Sequence, residues 1–133
     1  MISQIDHIGI AVNDLGKAKE SFAKSIGASN FQEERVESQL VDVASFYVGE
    51  VKIELLQAYD ENSPIAKYIS KKGEGIHHIA FRSNDIKGDL ESAKNQGIDL
   101  INDEPFQGAH DMLVAFLHPK STNKVLTELC QKK

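Results

Sequence analysis

The chain has 133 residues, 41% hydrophobic and 26% charged, with a net charge of −5. That length suits one domain with a core large enough to fold without staples, and a lone Cys130 excludes an internal disulfide framework and fits a reducing compartment. The acidic balance argues against nucleic acid as a partner, no apolar run reaches membrane-spanning length, and MISQIDHIGIAV lacks the basic start of a signal peptide, so a cytoplasmic protein is expected.

An apolar strand is predicted over residues 5 to 12, followed by Asn13-Asp14 as a helix cap. Leu15, Ala18, Phe22 and Ile26 form one apolar stripe, and Gly27 is a natural stop. Three strands follow, near 28 to 36, 40 to 48 and 51 to 57. The linker, residues 58 to 75, holds a short helix starting near Pro64. A second pass then begins with a strand at 76 to 82 and an Asn84-Asp85 cap. Ile86, Leu90 and Ala93 make its helix stripe, Gly97 its stop, and 98 to 102, 112 to 118 and 124 to 130 its strands.

The two passes are one unit repeated. IDHIGIAVNDL at 5 to 15 matches IHHIAFRSNDI at 76 to 86, so that His7 recurs as His78. VKIELL at 51 to 56 matches KVLTEL at 124 to 129, so that Glu54 recurs as Glu128. The expected fold is α+β: one domain over 1 to 133, with two paired βαβββ modules at 1 to 57 and 76 to 133 forming a curved mixed sheet. Side chains alternate along a strand, so the adjacent His77 and His78 face opposite ways. The repeat selects His78 as the partner of His7 and puts His77 in the place of Asp6. A strand-start histidine is ordinarily a packing or surface residue, and a glutamate facing solvent needs no special role. Two histidines and two glutamates contributed pairwise by a duplicated unit instead suggest a metal site made of His7, Glu54, His78 and Glu128. Imidazole with carboxylate suits one divalent ion such as Co, Zn, Ni or Mn, and four ligands of an octahedral ion leave two positions open.

These residues resemble a known family. Over residues 4 to 131 the chain is similar to the vicinal-oxygen-chelate (glyoxalase fold) superfamily, and within it to the methylmalonyl-CoA epimerases. The matching segments are DHIGIAV, ELLQ, SPIAKYI, GEGIHHIAF, DEPFQGAH, AFLHPKST and VLTEL. The resemblance places the family's ligands on His7, Glu54, His78 and Glu128. It implies an isomerase that moves the α-proton of an acyl-CoA substrate through a metal-stabilised enolate, most often in a homodimer. By the same resemblance Glu128 is one proton-transfer group, and the second falls in ESQLVDVASF, where Asp42 is the nearest carboxylate. Coenzyme A phosphates would look to Lys67, Lys71, Lys72 or Lys120, each otherwise an ordinary surface lysine. Gly108, His110 and His118 are the expected substrate-side residues around the FQGAH loop and the HPKS segment.

The same ligand pattern also serves lactoylglutathione lyases, which act on the methylglyoxal–glutathione hemithioacetal. The SPIAKYI, GEGIHH and HPKS segments favour the epimerase. A ring-cleaving dioxygenase would use two histidines and one glutamate, and Glu54 as a fourth ligand speaks against it. A non-catalytic drug-sequestering protein of this fold would present aromatic walls, which a chain with no Trp and 7% aromatics is poor in.

Overall fold

The computed structural model describes all 133 residues. In chain order the elements are β1 (Ile2–Ala11), α1 (Leu15–Ile26), β2 (Gln32–Val36), β3 (Val41–Val48), β4 (Val51–Ala58), α2 (Pro64–Lys72), β5 (Gly75–Ser83), α3 (Ile86–Asn95), β6 (Phe106–Gln107), β7 (Met112–Leu117) and β8 (Thr127–Lys132). The βαβββ order therefore occurs twice, with α2 between the copies. The contacts divide the chain into two compact units, Ile8–His77 and Met1–His7 with His78–Lys133. The first residues of β1 thus belong with the second copy of the repeat.

In the unit Ile8–His77 the strand order is β2-β3-β4-β1. Asp14 caps α1 by accepting from the Lys17 amide, and Gly27 ends it in the left-handed conformation (φ 72). The stripe Leu15, Ala18 and Phe22 packs on Val12, Ala44, Phe46 and Leu55. On the opposite face of these strands Ala11, Val41, Val43 and Leu56 gather with Ile65 of α2. Pro64 starts α2 behind the Ser63 cap. The strand expected from residue 28 begins only at Gln32, because Asn30 takes a positive φ of 56 and breaks the extended run.

In the unit Met1–His7 with His78–Lys133 the order is β1-β5-β8-β7-β6. β5 and β8 run parallel, whereas β8, β7 and β6 pair antiparallel. Ile86 and Leu90 of α3 pack on Ala115, Leu117 and Leu129. The other face gathers Ala80, Met112, Val114 and Cys130. Two sequence expectations need correction. Residues 98 to 102 form no strand beyond a single bridge from Leu100 to Leu117. There the Asn102 side chain accepts from the Phe116 amide, taking the place of a ladder carbonyl, and the edge strand β6 forms later. The last strand starts at Thr127 rather than 124, since Asn123 and Lys124 both have positive φ (58 and 68) and make a turn.

Candidate metal centre

His7 lies on β1 and His78 on β5, and their rings meet edge to face with Nε2 atoms 3.1 Å apart. Glu128 reaches the same point from β8. One of its oxygens is 3.3 Å from His7 Nε2 and the other 3.5 Å from His78 Nε2. All three residues are buried, at 7%, 6% and 5% exposure. The strands explain the convergence. Glu128 stands opposite Ala80 on β5 and Phe116 on β7, so it leaves the sheet on the face away from α3. His78, two residues before Ala80, leaves on that face too, with the Phe116 ring 6.0 Å away.

The donors suit a divalent ion. Nitrogen and oxygen ligands bind Zn at about 2.0–2.2 Å. Adjacent ligands at such bond lengths stand about 3.0 Å apart in an octahedron and about 3.4 Å apart in a tetrahedron. The observed 3.1 and 3.3 Å fall between those values, and 3.5 Å lies just above the tetrahedral one.

Two further residues prepare His7. Its Nδ1 is 2.8 Å from Asp6 Oδ2. A carboxylate only accepts, so Nδ1 carries the proton and Nε2 presents its lone pair. Asp6 is itself held by Arg82, whose Nε and Nη2 both donate to Oδ1 at 2.9 and 2.6 Å. Burial alone would raise the Asp6 pKa. The hydrogen bonds from His7 and Arg82 outweigh it and hold the carboxyl well below the usual range. Sequence reasoning placed Asp6 only as the position matched by His77 and passed over Arg82. The signal was the Asp-His dipeptide itself, a carboxylate adjoining a candidate ligand. Asp6, His7 and Cys130 also lie close enough to share an ion. That set suits one less well: Asp6 is committed to Arg82, and burial pushes the Cys130 thiol up and keeps it protonated while it points at the Phe81 carbonyl.

Glu54 lies on β4, in the unit Ile8–His77. It is 5% exposed, stands opposite Ser45, and has Lys52 Nζ 3.8 Å from its Oε2. It shares a strand face with Leu56. Asp42 does not. It pairs with Gln57, on the α1 side of the sheet, and Arg35 grips it through two bonds of 2.7 and 3.0 Å. The Arg35 hydrogen bond is the main reason its carboxyl titrates below the usual range. The carboxylate of Asp42, the expected second proton-transfer group, thus points away from the Glu54 face and is held by Arg35.

His77 packs against the Tyr68 ring at 5.0 Å, and burial pushes its pKa down to about 4. Lys67, Lys71 and Lys72 are exposed on α2. His118 and Lys120 are exposed as well. His118 Nδ1 accepts from the Lys120 amide, and Lys120 pairs with Asp99 at 3.4 Å. Gly108 precedes the short turn before β7, and His110 lies within it with a positive φ of 54.

Residues 6–116 match the model of the Glyoxalase/Bleomycin resistance protein/Dioxygenase superfamily. The uncharacterized protein YqjC of Bacillus subtilis is 40% identical, over 99% of this chain and 94% of its own length. The ethylmalonyl-CoA/methylmalonyl-CoA epimerase of Cereibacter sphaeroides is 37% identical, over 98% of this chain and 99% of its own. A solved methylmalonyl-CoA epimerase in complex with methylmalonyl-CoA and NH4+ superposes with a TM-score of 0.93. It is 36% identical, over 99% of this chain and 96% of that one.

Proposed function

This chain belongs to the Glyoxalase/Bleomycin resistance protein/Dioxygenase superfamily and is an isomerase, and from that premise we propose that it interconverts the two epimers of methylmalonyl-CoA with one divalent ion in place. The observation that carries the proposal is the meeting of His7 Nε2, His78 Nε2 and the Glu128 carboxylate within 3.1–3.5 Å. Glu54, the repeat's counterpart of Glu128, is proposed as the fourth ligand. Its burial as a carboxylate supports that role. Bound there, Co, Zn, Ni or Mn supplies Lewis-acid stabilisation of negative charge.

The proton that moves lies on a carbon between a thioester and a carboxylate. Glu128 is proposed to take it: the C–H bond breaks, its electron pair spreads onto the thioester oxygen, and the carboxylate keeps the proton. A solvent-derived proton delivered to the opposite face then inverts the centre, and Glu128 passes its own proton to solvent once the product leaves, which restores the carboxylate. The apolar wall of Ala80, Met112, Val114 and Phe106 beside Glu128 excludes water from that end. Lys67, Gly108, His110, His118 and Lys120 are proposed substrate contacts, the lysines for phosphate. Homodimer assembly and a cytoplasmic setting are part of the same proposal, on family resemblance.

The test uses one epimer of methylmalonyl-CoA with the metal-loaded protein, the epimer ratio being read over time. Approach to a mixture of both epimers supports the proposal. An unchanged single epimer, with turnover of the methylglyoxal–glutathione hemithioacetal in its place, would make the chain a lactoylglutathione lyase.

A further inference from the structure

Phe116 stands opposite Glu128 in the β7–β8 ladder, so the two side chains leave the same face of the sheet as neighbours. Its ring meets the His78 ring edge to face, with centroids 6.0 Å apart. The Phe106 ring of β6 lies 6.3 Å away. The backbone of Phe116 is fixed as well. Its amide donates to the Asn102 side chain at 2.9 Å, and its carbonyl accepts from the Ile101 amide at 2.9 Å. All of these residues belong to the unit Met1–His7 with His78–Lys133.

The other phenylalanines have packing tasks. Phe22, Phe31 and Phe46 pack with the α1 stripe, Phe81 packs with the α3 cluster, and Phe106 joins Ala80, Met112, Val114 and Cys130. Phe116 belongs to none of these clusters. It is only half-buried, although its neighbours Ala115 and Leu117 on the other face of β7 are buried. A large apolar ring is thus held in place and partly open beside the group proposed to take the α-proton.

The substrate's α-carbon carries four groups. Its proton goes to Glu128, and the thioester and the carboxylate are polar. The fourth, the alkyl group, makes no hydrogen bond and is best placed on an apolar surface within reach of Glu128. We propose that Phe116, backed by Phe106, is a specificity-determining residue: its ring receives the alkyl group of the α-carbon and sets how large that group can be. With rings on two sides and a clamped backbone, Phe116 does not swing aside for a longer chain. The substrate class follows as CoA thioesters of malonic acids with a short 2-alkyl group. Methyl and ethyl groups rest on the ring, and an n-butyl group collides with it.

The inference rests on the proposed function, and its test separates the two. Metal-loaded wild type, Phe116→Ala and Phe116→Leu are compared for metal content, melting temperature, and kcat and KM with methyl-, ethyl- and n-butylmalonyl-CoA. Wild type should favour the methyl over the n-butyl substrate by about 100-fold or more in kcat/KM. Phe116→Ala is expected to keep its metal, lose about 10-fold with methylmalonyl-CoA and cut the methyl-over-butyl preference by at least about 10-fold. Phe116→Leu, which keeps apolar bulk, should fall between the two. An unchanged preference in Phe116→Ala, with all three substrates slowed alike, would overturn the inference. So would metal loss in both variants, since Phe116 would then only support His78. Wild type that turns over the methyl and n-butyl substrates equally would also overturn it while leaving the proposed function standing. Wild type that turns over none of the three would bring down the proposed function, and this inference with it.

Discussion

Asp6 Oδ2 lies 2.8 Å from His7 Nδ1, and Arg82 holds the other Asp6 oxygen through two hydrogen bonds. The pair decides which nitrogen of His7 carries the proton and which presents its lone pair. Such supports of a ligating histidine are typically worth 10–100-fold in metal affinity. Asp6→Asn is accordingly expected to weaken binding of Co or Zn by about that factor, as measured by chelator competition. Unchanged affinity would mean that His7 keeps its tautomer without Asp6.

His77 gives a separate, pH-dependent signature. Its folded pKa is pushed down to about 4 from an ordinary 6.5 by burial. Above pH 6.5 the imidazole is neutral in both states and costs nothing. Between pH 6.5 and 4 the unfolded chain takes up the proton first, so stability falls with falling pH and the loss levels off below 4. His77→Gln should remove that slope from denaturation midpoints between pH 7 and 4. It should leave metal content untouched, since His77 faces Tyr68 and not His7.

The two candidate proton-transfer carboxylates, Glu128 and Asp42, should behave differently. Glu128→Gln is expected to lower turnover by about 100-fold or more, as loss of a general base does. Asp42→Asn, on the other face of its sheet and held by Arg35, should leave kcat within about twofold. A large loss of kcat in Asp42→Asn would restore it as a proton-transfer group.

Gly108 is fixed by space rather than by its backbone angle. A Cβ there would lie 2.8 Å from Val114 Cγ1 and 2.9 Å from Cγ2, and Val114 is buried at 6% exposure. A β-branched neighbour cannot swing aside, so Gly108→Ala should destabilise by about 1–3 kcal/mol. A lowered melting temperature would register it. An unchanged one would mean that the loop before β7 moves to make room.

The repeat made much of this legible. Caps at Asp14 and Asp85, and the choice of His78 over His77, followed from one register shared by two copies. What escaped lay where side chains replaced backbone partners or copies diverged. Asn102 ended a strand by taking a ladder bond itself, and consecutive left-handed residues at 123 and 124 delayed β8. The face on which Asp42 stands was not legible, because a nearest carboxylate in the sequence carries no information about strand parity until the β3–β4 register is known. Arg82 and Lys52 escaped for a related reason. A charged residue in a strand reads as solvent-facing unless its partner, here Asp6 or Glu54, is already suspected of being buried.

The central claim is that this chain moves the α-proton of methylmalonyl-CoA at the His7–His78–Glu128 cluster. The most direct measurement is deuterium incorporation at the α-carbon by NMR, with metal-loaded protein in deuterated water. Wild type should incorporate deuterium rapidly, and Glu128→Gln should do so at least about 100-fold more slowly. No incorporation by wild type, or equal incorporation by both proteins, would contradict the claim.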